Sequence, residues 1–221
     1  MKKMKQTLIA GAVALSAFAG FAVPAAHADV AASVGVSNMY YWRGYDLGGG
    51  AALTADVNVS GSGFFAGAWT SSGDETLGTE YDLYAGYAGE AGIFKYGVSV
   101  VSYNYPELGG EDKIAPGDYV EIIPMIGVGP VKFTYYDAVA AEVAPLNNED
   151  YSYATLELIF DKVSFKYGQH MDDGDTTSSH LDATYKYNDK LSFTVGTLID
   201  DGDDPEADDA AFVVNLSLPI E

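Results

Sequence analysis

The chain of 221 residues carries 32 Asp and Glu against 11 Lys and Arg, a formal net charge of -21 at pH 7. This acidic balance argues against nucleic acid as a partner, because phosphate binding requires clustered basic residues. Disordered acidic chains are poor in aromatic residues, whereas this one has 17 Tyr and 10 Phe. It has no Cys for a disulfide framework, so we expect an ordered fold held by pairing and packing.

The first 28 residues have the pattern of a secretory signal peptide. Basic Lys2, Lys3 and Lys5 precede an apolar segment over 8–23, and Ala26-His27-Ala28 matches a small-x-small cleavage site. No later apolar run reaches the length of a membrane helix. We therefore predict that residues 1–28 are removed on export and that residues 29–221 form a single domain.

From Val30 onward, apolar or aromatic residues recur at every second position, as in "YSYATLELIF", "HLDATYKY" and "FVVNLSL". This period of two is typical of β-strands, and no helical period separates them. Twelve strands are predicted, approximately at 32–41, 52–60, 64–70, 80–88, 93–103, 119–127, 131–138, 151–160, 163–170, 181–187, 191–198 and 211–218. The predicted fold class is therefore all-β.

The predicted connections alternate between short and long. The short ones follow residues 60, 88, 127, 160 and 187 and contain Gly, Asn or Asp, which suit tight hairpins. The long ones are acidic and cover 46–50, 71–79, 104–118, 140–150, 171–180 and 199–210. All long loops then emerge at one end, as in outer-membrane barrels with short periplasmic turns and longer extracellular loops.

The two faces of the strands support a transmembrane antiparallel β-barrel of about twelve strands. Phe212, Val214 and Leu216 would face lipid, while Asn215 and Ser217 would face a lumen. Aromatic residues concentrate near strand ends, which is typical of interface girdles. Those near the long loops are Tyr40, Tyr41, Trp42, Trp69, Tyr103, Tyr105, Tyr119, Tyr135, Tyr136 and Tyr151, and those near the short turns are Phe65, Phe94, Phe133, Phe160, Phe165, Tyr187 and Phe193. Pro124 is the exception, since it cannot donate a ladder hydrogen bond, and we expect a bulge or disrupted pairing there.

Four segments resemble the TorF-family porins of proteobacteria: "SNMYYWRG" over 37–44, "FFAGAWTSS" over 64–72, "EYDLYAGYAG" over 80–89 and "YGVSVVSYNYP" over 96–106. The resemblance covers the first half of the exported chain and rests on the order and spacing of the segments. It implies an exported β-barrel in the outer membrane more strongly than it implies a substrate. The chain departs from common outer-membrane practice by ending without a terminal aromatic residue.

The polar faces define a set of candidate pore-lining residues. These are Arg43, Asp56, Glu80, Asp82, Lys95, Glu121, Glu157, Lys166, Asp182 and Lys186, together with Asn58 and Tyr84. Twelve strands predict a narrow lumen, in which such charges set ionic selectivity when water fills it. Acidic groups outnumber basic ones, which favours cations or neutral polar solutes. Alternatively, the same charges pair with one another and plug the barrel.

The residues around the two histidines of the exported chain raise two other possible functions, an enzyme and a metal-binding protein. Ser178 and Ser179 adjoin His180, but adjacency alone does not make a nucleophile–base pair, so we expect no enzyme activity. His170 and His180 flank three aspartates, yet neither this segment nor the run over 200–209 has the spacing of a calcium loop. We therefore predict no metal site and no cofactor.

The sequence thus predicts a porin-like channel in the outer membrane of a Gram-negative bacterium, for passive diffusion of small hydrophilic solutes or cations. The expected partners are outer-membrane lipid and lipopolysaccharide, with divalent cations loosely held at the acidic loops. The alternative function is a plugged structural or adhesive barrel that acts through its external loops.

Overall fold

The computed structural model describes residues 29–48, 50–107, 114–141, 148–200 and 210–220, so the predicted signal peptide over 1–28 lies outside it. The strands are β1 (Asp29–Ser37), β2 (Tyr41–Trp42), β3 (Tyr45–Asp46), β4 (Ala52–Gly61), β5 (Phe64–Asp74), β6 (Gly78–Ala91), β7 (Phe94–Asn104), β8 (Tyr119–Val128), β9 (Val131–Ala141), β10 (Tyr151–Ile159), β11 (Val163–Asp172), β12 (Asp175–Lys186), β13 (Leu191–Asp200) and β14 (Ala211–Ile220). Within these ranges, no helix is long and apolar enough to cross a membrane.

Twelve of the strands form a closed antiparallel barrel, which confirms the predicted fold class. Each of these strands pairs with its neighbours along the chain. The barrel closes because β1 pairs with β14 on one side, with Val34 opposite Leu218, and with β4 on the other, with Val34 opposite Ala55. Closure leaves no strand edge with unpaired backbone groups. The remaining strands, β2 and β3, form a small separate hairpin between β1 and β4.

The two ends of the barrel carry different connections. The short-turn end has the connections 62–63, 92–93, 129–130, 160–162 and 187–190, while the long-connection end includes 38–51, 105–118, 142–150 and 201–210. The predictions of long loops over 71–79 and 171–180 are wrong, because the neighbouring strands extend through both segments. β5 and β6 leave only 75–77 between them, and β11 and β12 turn at Asp173 and Gly174. The acidic run 200–209 lies outside the described residues after Asp200.

Pro124 lies in β8 and interrupts one ladder, as predicted. It pairs with Val98 of β7, but the ladder to β9 passes from Ile122–Asp137 to Met125–Thr134 without a change of register. The register shift of β8 lies elsewhere, between Val120 and Glu121. A closed barrel therefore accepts this proline by losing ladder contacts on one side only.

The outward and inward faces of the strands differ as their alternation predicts. Large apolar side chains such as Ile126 and Phe212 are exposed on the outside, while Asn215 and Ser217 are buried inside. A hydrophobic cluster that includes Val101 and Ile123 also lies among the buried residues. The barrel interior is therefore filled with side chains over part of its length.

Many of the tyrosines expected in an interface girdle lie inside the barrel. Tyr40, Tyr41, Tyr103 and Tyr119 are buried, as is Phe65 near the short turns. The girdle prediction is wrong for these rings. It rested on their position near strand ends and did not separate the outward face of each strand from its inward face. Near the short turns, the following predicted girdle residues are exposed: Phe94, Phe133, Phe160, Phe165 and Tyr187.

Candidate functional site

The candidate site is the barrel lumen, and its central feature is the hairpin formed by β2 and β3, here called the inward hairpin. Trp42 pairs with Tyr45, and Arg43 and Gly44 form the two-residue turn between them with φ of 48° and 97°. Positive φ at both turn residues is the geometry of a type I′ hairpin. A side chain at Gly44 would collide with the His180 ring, so glycine is required by both the backbone angle and the space.

Arg43, at the tip of the inward hairpin, is buried in the lumen and held by Glu121 of β8. Its Nη1 donates to Glu121 Oε1 at 2.9 Å and its Nη2 donates to Oε2 at 2.6 Å. Arg43 also donates to the hydroxyls of Tyr151 and Tyr103, at 3.0 and 3.3 Å. Two-point pairing of this kind fixes the guanidinium in orientation as well as in position. The hairpin tip is thereby attached to the opposite wall.

Aromatic rings surround the same guanidinium. Its Cζ lies 4.5 Å from the ring centroids of Trp42 and Tyr136 and 4.7 Å from that of Tyr153. Cation–π contacts are strongest where water is excluded, and Arg43 is 8% exposed. The rings therefore partly offset the loss of hydration around a buried cation.

The flanks of the inward hairpin reach other parts of the wall. The hydroxyl of Tyr40 donates to Glu80 on β6, Tyr41 donates to Asp182 Oδ1 on β12 at 2.7 Å, and Tyr45 donates to Ser178 Oγ at 2.6 Å. A side chain at Gly196 on β13 would collide with the Tyr41 hydroxyl. Together with Arg43, these contacts carry the hairpin across the lumen from β1 and β4 to the far wall.

Two histidines support this arrangement from β11 and β12. His170 Nε2 contacts the carbonyl oxygen of Arg43 at 2.7 Å, and its Nδ1 contacts the Tyr151 hydroxyl at 3.0 Å. His180 Nδ1 contacts Asp182 Oδ1 at 2.9 Å, and its Nε2 contacts the Tyr153 hydroxyl at 2.7 Å. Both nitrogens of each ring are thus occupied by neighbours that position the hairpin or the wall beside it.

The structure divides the predicted pore-lining residues into two groups. Those around the inward hairpin are Arg43, Glu80, Asp82, Glu121 and Asp182, and all of them are buried. Those with greater exposure are Asp56, Lys95, Glu157, Lys166 and Lys186. In this second group, Asp56 accepts from the hydroxyl of Tyr84 at 2.8 Å and from Asn58 at 2.7 Å, and Glu157 pairs with Lys132 at 2.7 Å.

Sequence reasoning missed the inward hairpin, because it extended the first strand to residue 41. It also missed the rings of Tyr103, Tyr136, Tyr151 and Tyr153 as lumen residues. One signal was present: "WRGY" has glycine directly after arginine between aromatic residues, a pattern compatible with a tight turn. Nothing in the sequence indicated that this turn points inward.

The segment around the histidines does not form a metal centre among the described residues. No group of three or more His, Asp and Glu side chains there converges on a point that could hold an ion. Asp173, with φ of 48°, and Gly174 form the β11–β12 turn, while the rings of His170 and His180 are engaged inside the barrel.

The fold and the site define a twelve-stranded barrel whose lumen contains a hairpin of its own chain. Residues 10–202 match a family described as "bacterial protein of unknown function (Gcw_chp)", and the chain belongs to that family. No curated protein matches it in sequence. A crystal structure of an outer membrane channel from Pseudomonas putida F1 is similar at 13% identity and a TM-score of 0.36, covering 90% of this chain and 96% of that one. At those values, that likeness carries no inference about the present chain.

Proposed function

We propose that this protein is an outer-membrane channel for passive diffusion of small hydrophilic solutes or cations. One observation carries the proposal: the barrel exposes large apolar side chains on its outside and places charged and polar ones inside. Soluble proteins rarely expose so extensive an apolar surface, whereas a bilayer requires one. The narrower assignment to the TorF-family porins is part of this proposal.

The inward hairpin gives the proposed channel a constriction. Its tip attaches to Glu121 of β8, and its flanks attach to Glu80 of β6 and Asp182 of β12. These contacts lie across the lumen. Solutes therefore pass either through the space between the hairpin and the wall or only after the hairpin has shifted. We propose that the buried Arg43–Glu121 pair keeps the channel in a low-conductance state.

Conductance in planar lipid bilayers tests the proposal. Folded wild-type protein is expected to give small channels, and the Glu121→Gln variant larger ones or more frequent openings. The matched control is Glu157→Gln, which also removes a paired lumen carboxylate but touches no hairpin residue. A complete lack of channels from both folded wild type and Glu121→Gln would overturn the channel function. Fractionation of inner and outer membranes tests the location separately.

A second candidate function is a plugged structural or adhesive barrel that acts through its external connections. The density of contacts between the inward hairpin and the wall favours it. Shortening the connection over 142–150 should then abolish attachment to cells or surface polysaccharide while leaving the barrel folded. A channel instead retains its conductance after the same deletion. We propose lipopolysaccharide and loosely held divalent cations as partners of the acidic connections in either case.

We further propose that the protein has no catalytic role. The imidazole nitrogens of His170 and His180 contact Arg43, Asp182 and tyrosine hydroxyls. A general base acts on a proton within hydrogen-bond reach, and the hydroxyls that these two rings contact belong to Tyr151 and Tyr153, which line the lumen beside the hairpin. Incubation of folded protein with lipid and peptide substrates is the check, and any turnover would contradict this part of the proposal.

A further inference from the structure

The register of seven neighbouring strands brings together inward-facing charges that are far apart in the sequence. Going from β6 to β12, the cross-strand partners are Glu90 with Lys95, Lys95 with Gly127, Gly127 with Lys132, Lys132 with Glu157, Glu157 with Lys166, and Lys166 with Asp182. Their outward neighbours, such as Phe94, Phe133 and Leu156, are exposed on the outer surface. The charged set therefore forms one continuous row along the inner wall, here called the charge ladder.

The charge ladder runs obliquely along the barrel. It starts at Glu90 and Lys95, beside the short turn 92–93, and ends at Asp182, which Tyr41 of the inward hairpin contacts. Strands of a barrel tilt against its axis, so a row of cross-strand partners climbs as it crosses from strand to strand. The ladder thus leads from the mouth at the short-turn end to the hairpin.

Gly127 occupies the one uncharged step, between Lys95 and Lys132, and the signs alternate on either side of it. The three carboxylates and three ammonium groups of the ladder balance, so it does not concentrate ions of one sign as a singly charged lining would. Neighbouring strands are about 4.8 Å apart, and the charges of adjacent steps are therefore close enough to contact one small molecule together. A solute with one positive and one negative group can therefore contact a carboxylate and a lysine ammonium group on neighbouring strands at the same time.

Two buried hydroxyl groups lie beside the ladder. Thr134 lies two residues beyond Lys132 on β9, and Thr155 lies two residues before Glu157 on β10; they are cross-strand partners. Both are 2% exposed, and neither Oγ1 has a hydrogen-bond partner in the described part of the chain. Buried hydroxyls are normally hydrogen-bonded, so this pair leaves unused hydrogen-bonding capacity next to the Lys132–Glu157 pair, which a solute reaches only where the neighbouring side chains shift.

From this arrangement, we propose that the charge ladder binds small zwitterionic solutes, of the chemical class of free amino acids, on their way through the lumen. The passage of these solutes rests on the proposed channel function, whereas their binding to the charge ladder does not require the channel to conduct. Lys132 and Lys166 would contact the solute carboxylate, and Glu157 between them would contact its ammonium group. Such charge-assisted hydrogen bonds exchange readily where the site is partly exposed to water.

Swelling of proteoliposomes compares glycine with glycolamide, which is nearly the same size but carries no charge. Glycine is expected to enter wild-type vesicles several-fold faster than glycolamide. The double variant Glu157→Gln/Lys166→Gln, which keeps the net charge of the lumen, should reduce that ratio to near one because glycine entry falls. A ratio near one in the wild type, or an unchanged ratio in the folded double variant, would overturn the zwitterion inference while leaving the channel intact.

Binding in detergent micelles separates the inference from the channel function. The NMR linewidth of labelled glycine should broaden with folded wild-type protein, and much less with the double variant. If neither solute enters vesicles but this broadening is seen, the channel proposal fails and the zwitterion site stands. If glycine shows no more broadening than glycolamide, the site is refuted whatever the vesicles show. Retained heat-modifiable migration on gels confirms that each variant is folded.

Discussion

The lumen beside the inward hairpin and the lumen near the short turns hold their charges in different ways. Around the hairpin, Arg43 and Glu121 are nearly inaccessible to water and make multiple hydrogen bonds. Near the short turns, Lys95 and Lys186 are exposed, and each lacks an ion pair among the described residues. Charges in the first region position a segment of the chain, whereas charges in the second remain available to solutes.

This difference has an energetic basis. Removing one partner of a buried ion pair leaves an uncompensated charge, whereas exposed charges are hydrated and screened. Substitutions around the hairpin should therefore affect both stability and conductance. Substitutions near the short turns should affect selectivity alone. Four variants test this contrast, in decreasing order of expected effect.

Glu121→Gln should have the largest effect. It leaves the Arg43 guanidinium buried without a counter-charge, which costs about 3–5 kcal/mol where the hairpin stays in place. Thermal unfolding of the folded barrel should occur at lower temperature, and conductance should rise as the hairpin leaves the lumen. Glu157→Gln is the control, since its pair with Lys132 is more accessible to water than the Arg43–Glu121 pair and should therefore contribute less to stability. Equal losses from both variants would contradict the contrast.

Gly196→Val should displace the inward hairpin without removing any charge. The new side chain would occupy the position of the Tyr41 hydroxyl, and overpacking of this kind costs about 1–3 kcal/mol. Fluorescence quenching of Trp42, measured in a Trp69→Phe background, should report greater exposure of the hairpin. Adding Tyr41→Ala should relieve the collision. If quenching is the same with valine as with glycine, the hairpin does not depend on this contact.

Arg43→Lys keeps the positive charge but loses the two-point contact with Glu121. A lysine ammonium cannot reproduce the planar, paired geometry of the guanidinium, and the lost hydrogen bond should cost roughly 1.5 kcal/mol. We expect channel openings to become more frequent, but fewer than with Glu121→Gln. Conductance as large as that of Glu121→Gln would mean that bidentate geometry, and not charge, holds the hairpin.

Lys186→Met should have the smallest effect on stability, below about 0.5 kcal/mol, because its side chain is exposed. The charge ladder is neutral and Arg43 balances Glu121, so among the candidate pore-lining residues Asp56 and Lys186 carry the remaining charge that is accessible to solvent. Removing Lys186 should then shift the reversal potential in a salt gradient further toward cation selectivity. A shift toward anions would contradict the expectation that the acidic lumen favours cations.

The alternation of residue types was sufficient to predict the barrel. Period-two patterns such as that of Phe212 to Ile220 located all twelve strands, because one face of each strand must be apolar and the other polar. Connection lengths were less reliable: the acidic segments 71–79 and 171–180 look like loops in composition, yet cross-strand pairing extends β5, β6, β11 and β12 through them. Local composition does not reveal how far cross-strand pairing extends along a strand.

The sequence by itself determined the barrel and the inward position of its charged residues, since both follow from local alternation and from turns between neighbours, but it did not place the lumen tyrosines. Only the tertiary structure decided how those inward residues are used. The pairing of Arg43 with Glu121 depends on an inward fold of the hairpin, and the order of Lys95, Lys132, Glu157 and Lys166 in one row depends on strand register. These contacts join residues far apart in the chain, and their geometry is set by closure of the whole barrel.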